Sequence, residues 1–100
     1  MDWKQPQNRA LIEALLSLNN SDEVRRFLRD LMTEGEIAEF GKRLRAAVLL
    51  TEKVSYSDIV KETGLSSTTV ARVLKWLKGK EGGDRKVLHR LHRKGSSSKV

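Results

Sequence analysis

The chain has 100 residues, of which 38% are hydrophobic and 33% are charged, and its formal net charge is +7. This composition suits one small globular domain and excludes collagen-like and fully disordered classes. Cysteine is absent, which excludes disulfides, thiolate metal sites and cysteine nucleophiles. The longest apolar run covers only residues 46–50, so we expect no transmembrane segment, no secretory signal and a cytoplasmic location without a membrane partner.

The positive charge is concentrated towards the C-terminal end. Residues 1–71 contain 10 basic and 11 acidic residues, a net charge of −1, whereas residues 72–100 contain 10 basic and 2 acidic residues, a net charge of +8. A nearly neutral body with a strongly basic end favours a polyanionic partner such as DNA, RNA or an acidic membrane surface. Charge alone leaves open the alternative of a solvated basic tail that only aids solubility.

The first part of the chain predicts a flexible arm at residues 1–8, followed by two helices. Leucines recur at helical spacing in the first helix, at Leu11, Leu15 and Leu18. Asn20 with Glu23 three residues later predicts the start of the second helix. One face of that helix carries apolar side chains, namely Val24, Phe27, Leu28 and Leu31.

A longer third helix is predicted from Thr33 to about Lys53. Thr33 and Glu36 have the spacing of a capping box, in which each side chain bonds the other residue's backbone N–H. An apolar stripe marks the predicted inner face: Ile37, Phe40, Leu44, Ala47, Val48 and Thr51. Gly41 lies inside this helix, where glycine is less favourable than alanine by about 1 kcal/mol. We therefore expect another helix to approach closely at Gly41.

Residues 55–78 have the pattern of a helix-turn-helix. Ser55 predicts a cap for a helix that ends at Gly64, and Ser66 predicts a cap for a second helix that ends at Gly79. Gly64 suits the tight turn because it tolerates a positive φ. Apolar residues at helical spacing are predicted to hold the two helices together: Ile59, Leu65, Val70, Val73 and Leu77.

The opposite face of the second helix carries short hydroxyl side chains at its start and cations further along. This arrangement is typical of a recognition helix, in which short side chains approach base edges and cations neutralise phosphates. The candidate DNA-binding residues are Tyr56, Ser57, Ser66, Ser67, Thr68, Thr69, Arg72, Lys75 and Lys78. A plain helical hairpin with a charged outer face is the alternative interpretation.

A last helix is predicted to start at Asp84, and residues 95–100 are predicted to be a disordered tail. The single domain is therefore expected to occupy residues 9–94. His89 and His92 are three residues apart, but without a nearby carboxylate or cysteine they make a poor zinc site. We expect no metal, no cofactor and no enzymatic activity, because no catalytic constellation is recognisable.

Residues 31–78 resemble the Trp-repressor superfamily, especially its branch of small YerC/YecD-type proteins. The resemblance rests on three motifs: Leu31-Met32-Thr33, Gly41-x-Arg43-x-Arg45, and Ile59…Gly64…Thr69-Val70-x-Arg72. It implies an all-α, Trp-repressor-like helical bundle in which two chains form an intertwined homodimer. In such a fold, one shared core carries two projecting helix-turn-helix units.

The resemblance also implies positions for an effector pocket. Thr33, Arg43 and Arg72 match the threonine and two arginines that hold the corepressor in the Trp repressor. The repressor has glycine after the last arginine, whereas this chain has Val73, which fills the space that the indole occupies. We therefore predict DNA binding that does not depend on tryptophan, and the sequence identifies no other small-molecule effector.

The leading hypothesis is a homodimeric helix-turn-helix protein that binds specific sequences of double-stranded DNA and regulates transcription, as a repressor does. Two alternatives belong to other classes: a basic RNA-binding or ribonucleoprotein module, and a helical interaction protein whose helix-turn-helix is purely structural. The first hypothesis predicts duplex DNA binding with a palindromic preference. The alternatives predict a preference for RNA and no nucleic-acid affinity at moderate salt, respectively.

Overall fold

The computed structural model describes the backbone of residues 1–95 and the side chains of residues 1–91. Six helices and no strand occur in this part of the chain, which confirms the all-α class. The helices are α1 (Pro6–Leu16), α2 (Ser21–Leu31), α3 (Glu34–Thr51), α4 (Tyr56–Thr63), α5 (Ser67–Leu77) and α6 (Gly83–Gly95). The tail predicted for residues 95–100 lies outside the described residues, apart from Gly95 at the end of α6.

Contacts within the chain divide it into two compact units. Unit 1 is Met1–Ile37, and unit 2 begins at Ala38, so the single domain predicted for residues 9–94 contains the boundary between them. Unit 1 holds α1, α2 and the start of α3, and unit 2 holds the rest of α3 with α4, α5 and α6. Among the described residues, no helix is long and apolar enough to span a membrane.

In unit 1, two local signals set the helix starts. Helix α1 begins at Pro6, inside the segment 1–8 that the sequence predicted as an arm. Proline is favourable there because the N–H that it lacks has no intrahelical partner in the first turn. At α2, the Asn20 side chain accepts a hydrogen bond from the Glu23 N–H at 2.9 Å, and the Glu23 carboxylate accepts one from the Asn19 N–H at 2.9 Å. The predicted start of the second helix is confirmed.

The helices of unit 1 form without a buried core. No residue of α1 or α2 is buried. On α1, Ile12 is 41% exposed, Leu15 is 43% exposed and Leu16 is 79% exposed. On α2, Phe27 and Leu28 are half-buried, while Leu31 is 52% exposed. The apolar faces predicted from the sequence therefore exist, but the described residues do not bury them.

Helix α3 has a side-chain cap at its start and a backbone cap at its end. The predicted capping box is present: the Thr33 hydroxyl accepts from the Glu36 N–H at 3.1 Å, and the Glu36 carboxylate accepts from the Thr33 N–H at 2.9 Å. After Thr51, Lys53 adopts a left-handed φ of 62°. The Val54 N–H then bonds the Leu49 carbonyl at 3.1 Å, which closes the helix end as Schellman motifs do.

Unit 2 has one buried core, which α3 shares with α4 and α5. The buried residues are Ala46, Ala47, Leu49, Ile59, Leu65, Val70 and Val73, with Leu88 of α6 partly buried against them. These residues anchor the helix-turn-helix to the C-terminal half of α3.

The predicted inner stripe of α3 is only partly correct. Ala47 is buried, but Phe40 is 49% exposed, Leu44 is 41% exposed and Thr51 is exposed. The buried residues of α3 are Ala46, Ala47 and Leu49, so only one position of the predicted stripe is buried. The close approach predicted at Gly41 is not made within the described residues, because a Cβ placed there meets no atom within 4 Å.

Candidate nucleic-acid interface

The turn between α4 and α5 is fixed by one glycine and one buried threonine. Gly64 ends α4 in the left-handed region at φ 78°, as the sequence predicted, and its N–H bonds the Val60 carbonyl at 2.9 Å. The buried Thr63 hydroxyl donates to the Ile59 carbonyl at 2.7 Å and accepts from the Leu65 N–H at 3.2 Å. Thr63 thereby supplies the turn with polar partners inside the core. This role could not be predicted from the sequence, because it depends on burial.

Helix α5 has one face that fixes it and one that is free. Val70 and Val73 are 0% and 1% exposed, and Leu77 is 8% exposed, so this stripe binds α5 to the core. The Ser66 hydroxyl caps the helix by accepting from the Thr69 N–H at 3.1 Å. The Ser66 hydroxyl also donates a hydrogen bond to the Thr69 hydroxyl at 3.0 Å. These two predicted site residues therefore define where the helix starts.

The free face of α5 carries the remaining predicted residues of that helix. Ser67 and Thr68 are exposed at the N-terminal end, and Arg72, Lys75 and Lys78 are exposed along the same helix and at its C-cap. Helix α5 contains no acidic residue. In the part of the chain that the structure describes, none of the three cations forms an ion pair. This face is therefore cationic and open to an anionic partner.

The start of α4 places two more predicted residues on the surface. Ser55 caps α4 by accepting from the Asp58 N–H at 3.2 Å, as predicted. Tyr56 is 39% exposed, and the Ser57 hydroxyl lies 3.4 Å from that of Ser55. All the candidate DNA-binding residues are thus exposed, except Thr69, which is half-buried.

An ion pair that the sequence did not indicate links α4 to α3. The Arg45 Nε donates to the Glu62 carboxylate at 2.8 Å, and both side chains are about half exposed, at 51% and 49%. The partners are 17 residues apart in sequence, so no local spacing rule could pair them. The contact adds a polar link between the helix-turn-helix and the helix that supports it.

The three residues of the implied effector pocket belong to two different units. Thr33 belongs to unit 1, where its hydroxyl and N–H are both used in the capping box. Arg43 belongs to unit 2, where it donates to Glu39 at 3.3 Å and lies 5.3 Å from the Phe40 ring and 5.5 Å from the Trp76 ring. Arg43 is therefore held by a carboxylate and two aromatic rings within one unit.

A small cavity of about 180 Å³ lies beside Arg43 in unit 2. Its lining residues are Phe40, Arg43, Leu44, Val73, Trp76 and Asp84. Arg43 and Val73 thus face the same space, whereas Arg72 is not among the lining residues. Val73 belongs to the buried stripe of α5, so its side chain is fixed where it meets the cavity.

The described residues contain no group of three or more histidine, cysteine, aspartate or glutamate side chains that could hold a metal ion. The side chain of His92 lies outside the described residues, and His89 is exposed. The candidate DNA-binding residues present hydroxyls and cations on α4 and α5.

Three comparisons relate the chain to known proteins. The family model described as "Trp repressor protein" matches residues 6–92. A Bacillus subtilis (strain 168) protein named "Uncharacterized protein YerC" is 40% identical over 67 residues, which cover 67% of this chain and 64% of the relative. The crystal structure of a TrpR-like protein from Eubacterium eligens ATCC 27750 matches with a TM-score of 0.84 and 35% identity. That match covers 90% of this chain and 93% of the other.

Proposed function

This chain belongs to the Trp repressor protein family, and from that premise we propose that it is a homodimeric regulator of transcription that binds specific sequences of duplex DNA through its helix-turn-helix. Membership confirms the resemblance found in the sequence, including the YerC-like branch. The single observation that carries the proposal is the free face of α5, where exposed hydroxyls and cations without ion pairs in the described chain are held on a helix with a buried opposite face. We also propose a cytoplasmic location and a regulatory, non-enzymatic role, as the family suggests.

The order of residues along α5 suits recognition in the major groove. Ser67 and Thr68 lie at the N-terminal end of α5, which approaches base edges when a recognition helix docks. Serine and threonine hydroxyls can bond either donors or acceptors there, and the threonine methyl can contact the thymine methyl. Arg72, Lys75 and Lys78 follow towards the C-terminal end, where cations neutralise phosphates. The helix-turn-helix therefore offers both base contacts and phosphate contacts.

The apolar side chains that the single chain leaves exposed support the proposed homodimer. Helices α1 and α2 bury no residue, and Leu16, Leu31 and Phe40 are each about half exposed or more. Monomeric soluble proteins rarely leave large apolar patches in water. A second copy would cover these faces. It would also supply the helix that approaches Gly41 closely, which no described residue of the same chain does.

Light scattering at low micromolar concentration tests the dimer. We expect the mass of two chains of 11.4 kDa each, and an interface larger than the standard ~1,600 Å² of total buried area. A folded monomer at that concentration would contradict the proposed assembly, because its apolar faces would then be stable in water.

A binding titration with three nucleic acids tests the partner. Duplex DNA, duplex RNA and single-stranded RNA of equal length are labelled and titrated with the wild-type chain at several salt concentrations. We expect the tightest binding to duplex DNA, with an affinity that falls steeply as salt rises. A preference for either RNA would favour an RNA-binding module. No affinity for any of the three at moderate salt would favour a structural helix-turn-helix.

A further inference from the structure

The C-terminal end of α5 is bound by a side chain from α6. The Arg85 Nη1 donates to the Leu77 carbonyl at 2.6 Å and to the Gly79 carbonyl at 3.0 Å. Leu77 is the last residue of α5, and helices end with carbonyls that lack backbone partners. A guanidinium at this end both satisfies such carbonyls and complements the negative end of the helix dipole.

Gly82 makes room for this contact. It is buried and has a left-handed φ of 66°, and its carbonyl accepts the first helical bond of α6 from the Lys86 N–H at 3.0 Å. A Cβ at this position would lie 2.8 Å from the Arg85 Nη2. Any larger residue would therefore strain the left-handed backbone, and the guanidinium, as the end of a flexible side chain, would have to shift. The Arg85 guanidinium therefore occupies the space that a side chain at position 82 would need.

The contact is the main polar link between α6 and the end of α5. Within the described part of the chain, Arg85 supplies the only side-chain hydrogen bonds from α6 to α5 or to the segment after it. The apolar link is Leu88, which packs partly buried against the core that contains Val73. Leu88 holds α6 to the middle of the bundle, and Arg85 fixes the far end of α5.

We propose that Arg85 is a positioning residue of the recognition helix, which fixes the angle of α5 by binding its C-terminal carbonyls, and this inference rests on the proposed DNA-binding function. The N-terminal end of α5 is fixed by the Ser66 cap and the Gly64 turn, and the buried stripe fixes its middle. Arg85 completes this restraint from within the chain.

A direct phosphate contact is the other role that an arginine next to a recognition helix can take. The geometry favours positioning, because the Arg85 Nη1 already donates to the Leu77 and Gly79 carbonyls. The guanidinium also lies in the space that the absent side chain of Gly82 leaves. Arg90 on the same helix is exposed and forms no ion pair or hydrogen bond among the described residues. Arg90 therefore serves as a matched cation that lacks the contact.

The experiment compares two pairs of variants. Arg85→Ala is matched by Arg90→Ala. Gly83→Ala is the reference for Gly82→Ala, since a Cβ at Gly83 meets no atom within 4 Å and Gly83, unlike Gly82, has no left-handed φ. Arg85→Lys is added as the conservative variant. Dissociation constants are measured for a duplex selected from a random pool and for a scrambled duplex, each across a salt series. Circular dichroism reports whether each variant is folded.

We expect Arg85→Ala and Gly82→Ala to weaken binding to the selected duplex about tenfold, because apparent affinity falls with the fraction of molecules whose reading helix is correctly oriented. Affinity for the scrambled duplex and the salt slope should stay near those of the wild type, and Arg85→Lys should recover part of the loss. Both matched controls should keep the wild-type ratio between the two duplexes.

Amide hydrogen exchange tests the contact without DNA. The N–H groups of Lys78 and Gly79 bond the carbonyls of Leu74 and Trp76 at the end of α5, so we expect both to exchange faster in Arg85→Ala than in Arg90→Ala. Equal protection in the two variants would overturn the positioning role.

The DNA outcomes separate the two proposals. If the wild type binds no duplex, the proposed function is wrong, and the exchange data alone judge the contact. If the wild type binds DNA but Arg85→Ala keeps the wild-type ratio between duplexes, the positioning role is wrong. If Arg85→Ala weakens both duplexes equally and lowers the salt slope by about one unit, Arg85 contacts phosphate and positioning is again overturned.

Discussion

Units 1 and 2 use the same local signals to form helices but differ in what their helices bury. In unit 2, Ile59, Val70 and Val73 are fully enclosed by the chain itself. In unit 1, α1 and α2 have a proline start and an asparagine cap, but neither helix buries a residue. Local helix signals are therefore present in both units, whereas the buried core lies in unit 2. Most helical stability comes from packing of an apolar face, so unit 1 should depend on a second copy, whereas unit 2 should not.

The contrast can be measured because each unit contains one tryptophan. Trp3 lies in unit 1 and Trp76 in unit 2. A Trp3→Phe background leaves Trp76 as the reporter of unit 2, and a Trp76→Phe background leaves Trp3 as the reporter of unit 1. The first prediction uses the Trp76 reporter.

The largest expected effect is the loss of a core side chain in unit 2. Ile59→Ala should lower the free energy of unfolding reported by Trp76 by about 2–5 kcal/mol, because it removes a fully buried side chain and leaves a cavity. Leu16→Ala removes a side chain of unit 1, outside the core whose unfolding Trp76 reports, and it should change the same quantity by about 0.5 kcal/mol or less. Urea denaturation measures both. Equal losses of unfolding free energy in Ile59→Ala and Leu16→Ala would contradict a core that unit 2 forms by itself.

The next effect concerns the cavity beside Arg43. A tryptophan ring there would meet the fixed Val73 side chain, at a cost of about 1–3 kcal/mol, or roughly 10- to 100-fold in affinity. Duplex binding by the wild type should therefore be the same with and without millimolar L-tryptophan. Val73→Gly opens the space and is the variant in which an effect of tryptophan is expected. A marked rise in wild-type affinity with tryptophan would contradict the prediction.

A smaller effect, of opposite sign in monomer and dimer, is expected at Gly41. Alanine in an exposed helix interior is more favourable than glycine by about 1 kcal/mol, so Gly41→Ala should stabilise an isolated chain. If a second copy approaches closely at Gly41, the same variant should weaken the dimer. Sedimentation equilibrium measures the dissociation constant. Gly35→Ala is the control, since a Cβ there makes only an ordinary 3.9 Å contact with Thr33.

Dimer dissociation that is unchanged or tighter in Gly41→Ala would show that no second copy approaches at this position. The proposed interface would then have to lie elsewhere on the exposed apolar faces. If Gly41→Ala and Gly35→Ala change the dimer dissociation constant equally, helix propensity alone explains the change.

The smallest effect distinguishes the cations of the two units. Lys78→Ala should weaken binding to all duplexes alike and should reduce the slope of log affinity against log salt by about one unit, as the loss of one phosphate contact does. Lys4→Ala removes an equivalent charge from unit 1 and should leave the slope unchanged. A slope that Lys78→Ala does not alter would contradict the proposed docking of α5.

The sequence predicted the features that depend on near neighbours. The caps by Asn20, Thr33, Ser55 and Ser66 were all found, since each needs only a side chain and an N–H three residues away. The left-handed turn at Gly64 was found for the same reason. Much of the fold and of the free face of α5 therefore follows from local spacing.

Features that depend on distant neighbours were not predicted. The apolar spacing of Phe40 and Leu44 matched the inner stripe, yet both are exposed, because they only border the cavity that Val73 and Trp76 line from α5. The Arg45–Glu62 ion pair and the Arg85 contact join residues that only the fold brings together. Periodicity shows which face of a helix is apolar, but it does not show what covers that face.

Selection of bound sequences from a random duplex pool tests the central claim most directly, because one experiment reports binding, specificity and symmetry. The account predicts strong enrichment of two inverted half-sites whose centres lie about 10 base pairs apart or a multiple of that, as a dimer with two recognition helices requires. Thr68 replaced by a bulky residue should shift the enriched bases within each half-site. No enrichment over the starting pool, or enrichment of a single half-site without its inverted copy, would contradict a homodimer that reads DNA through α5.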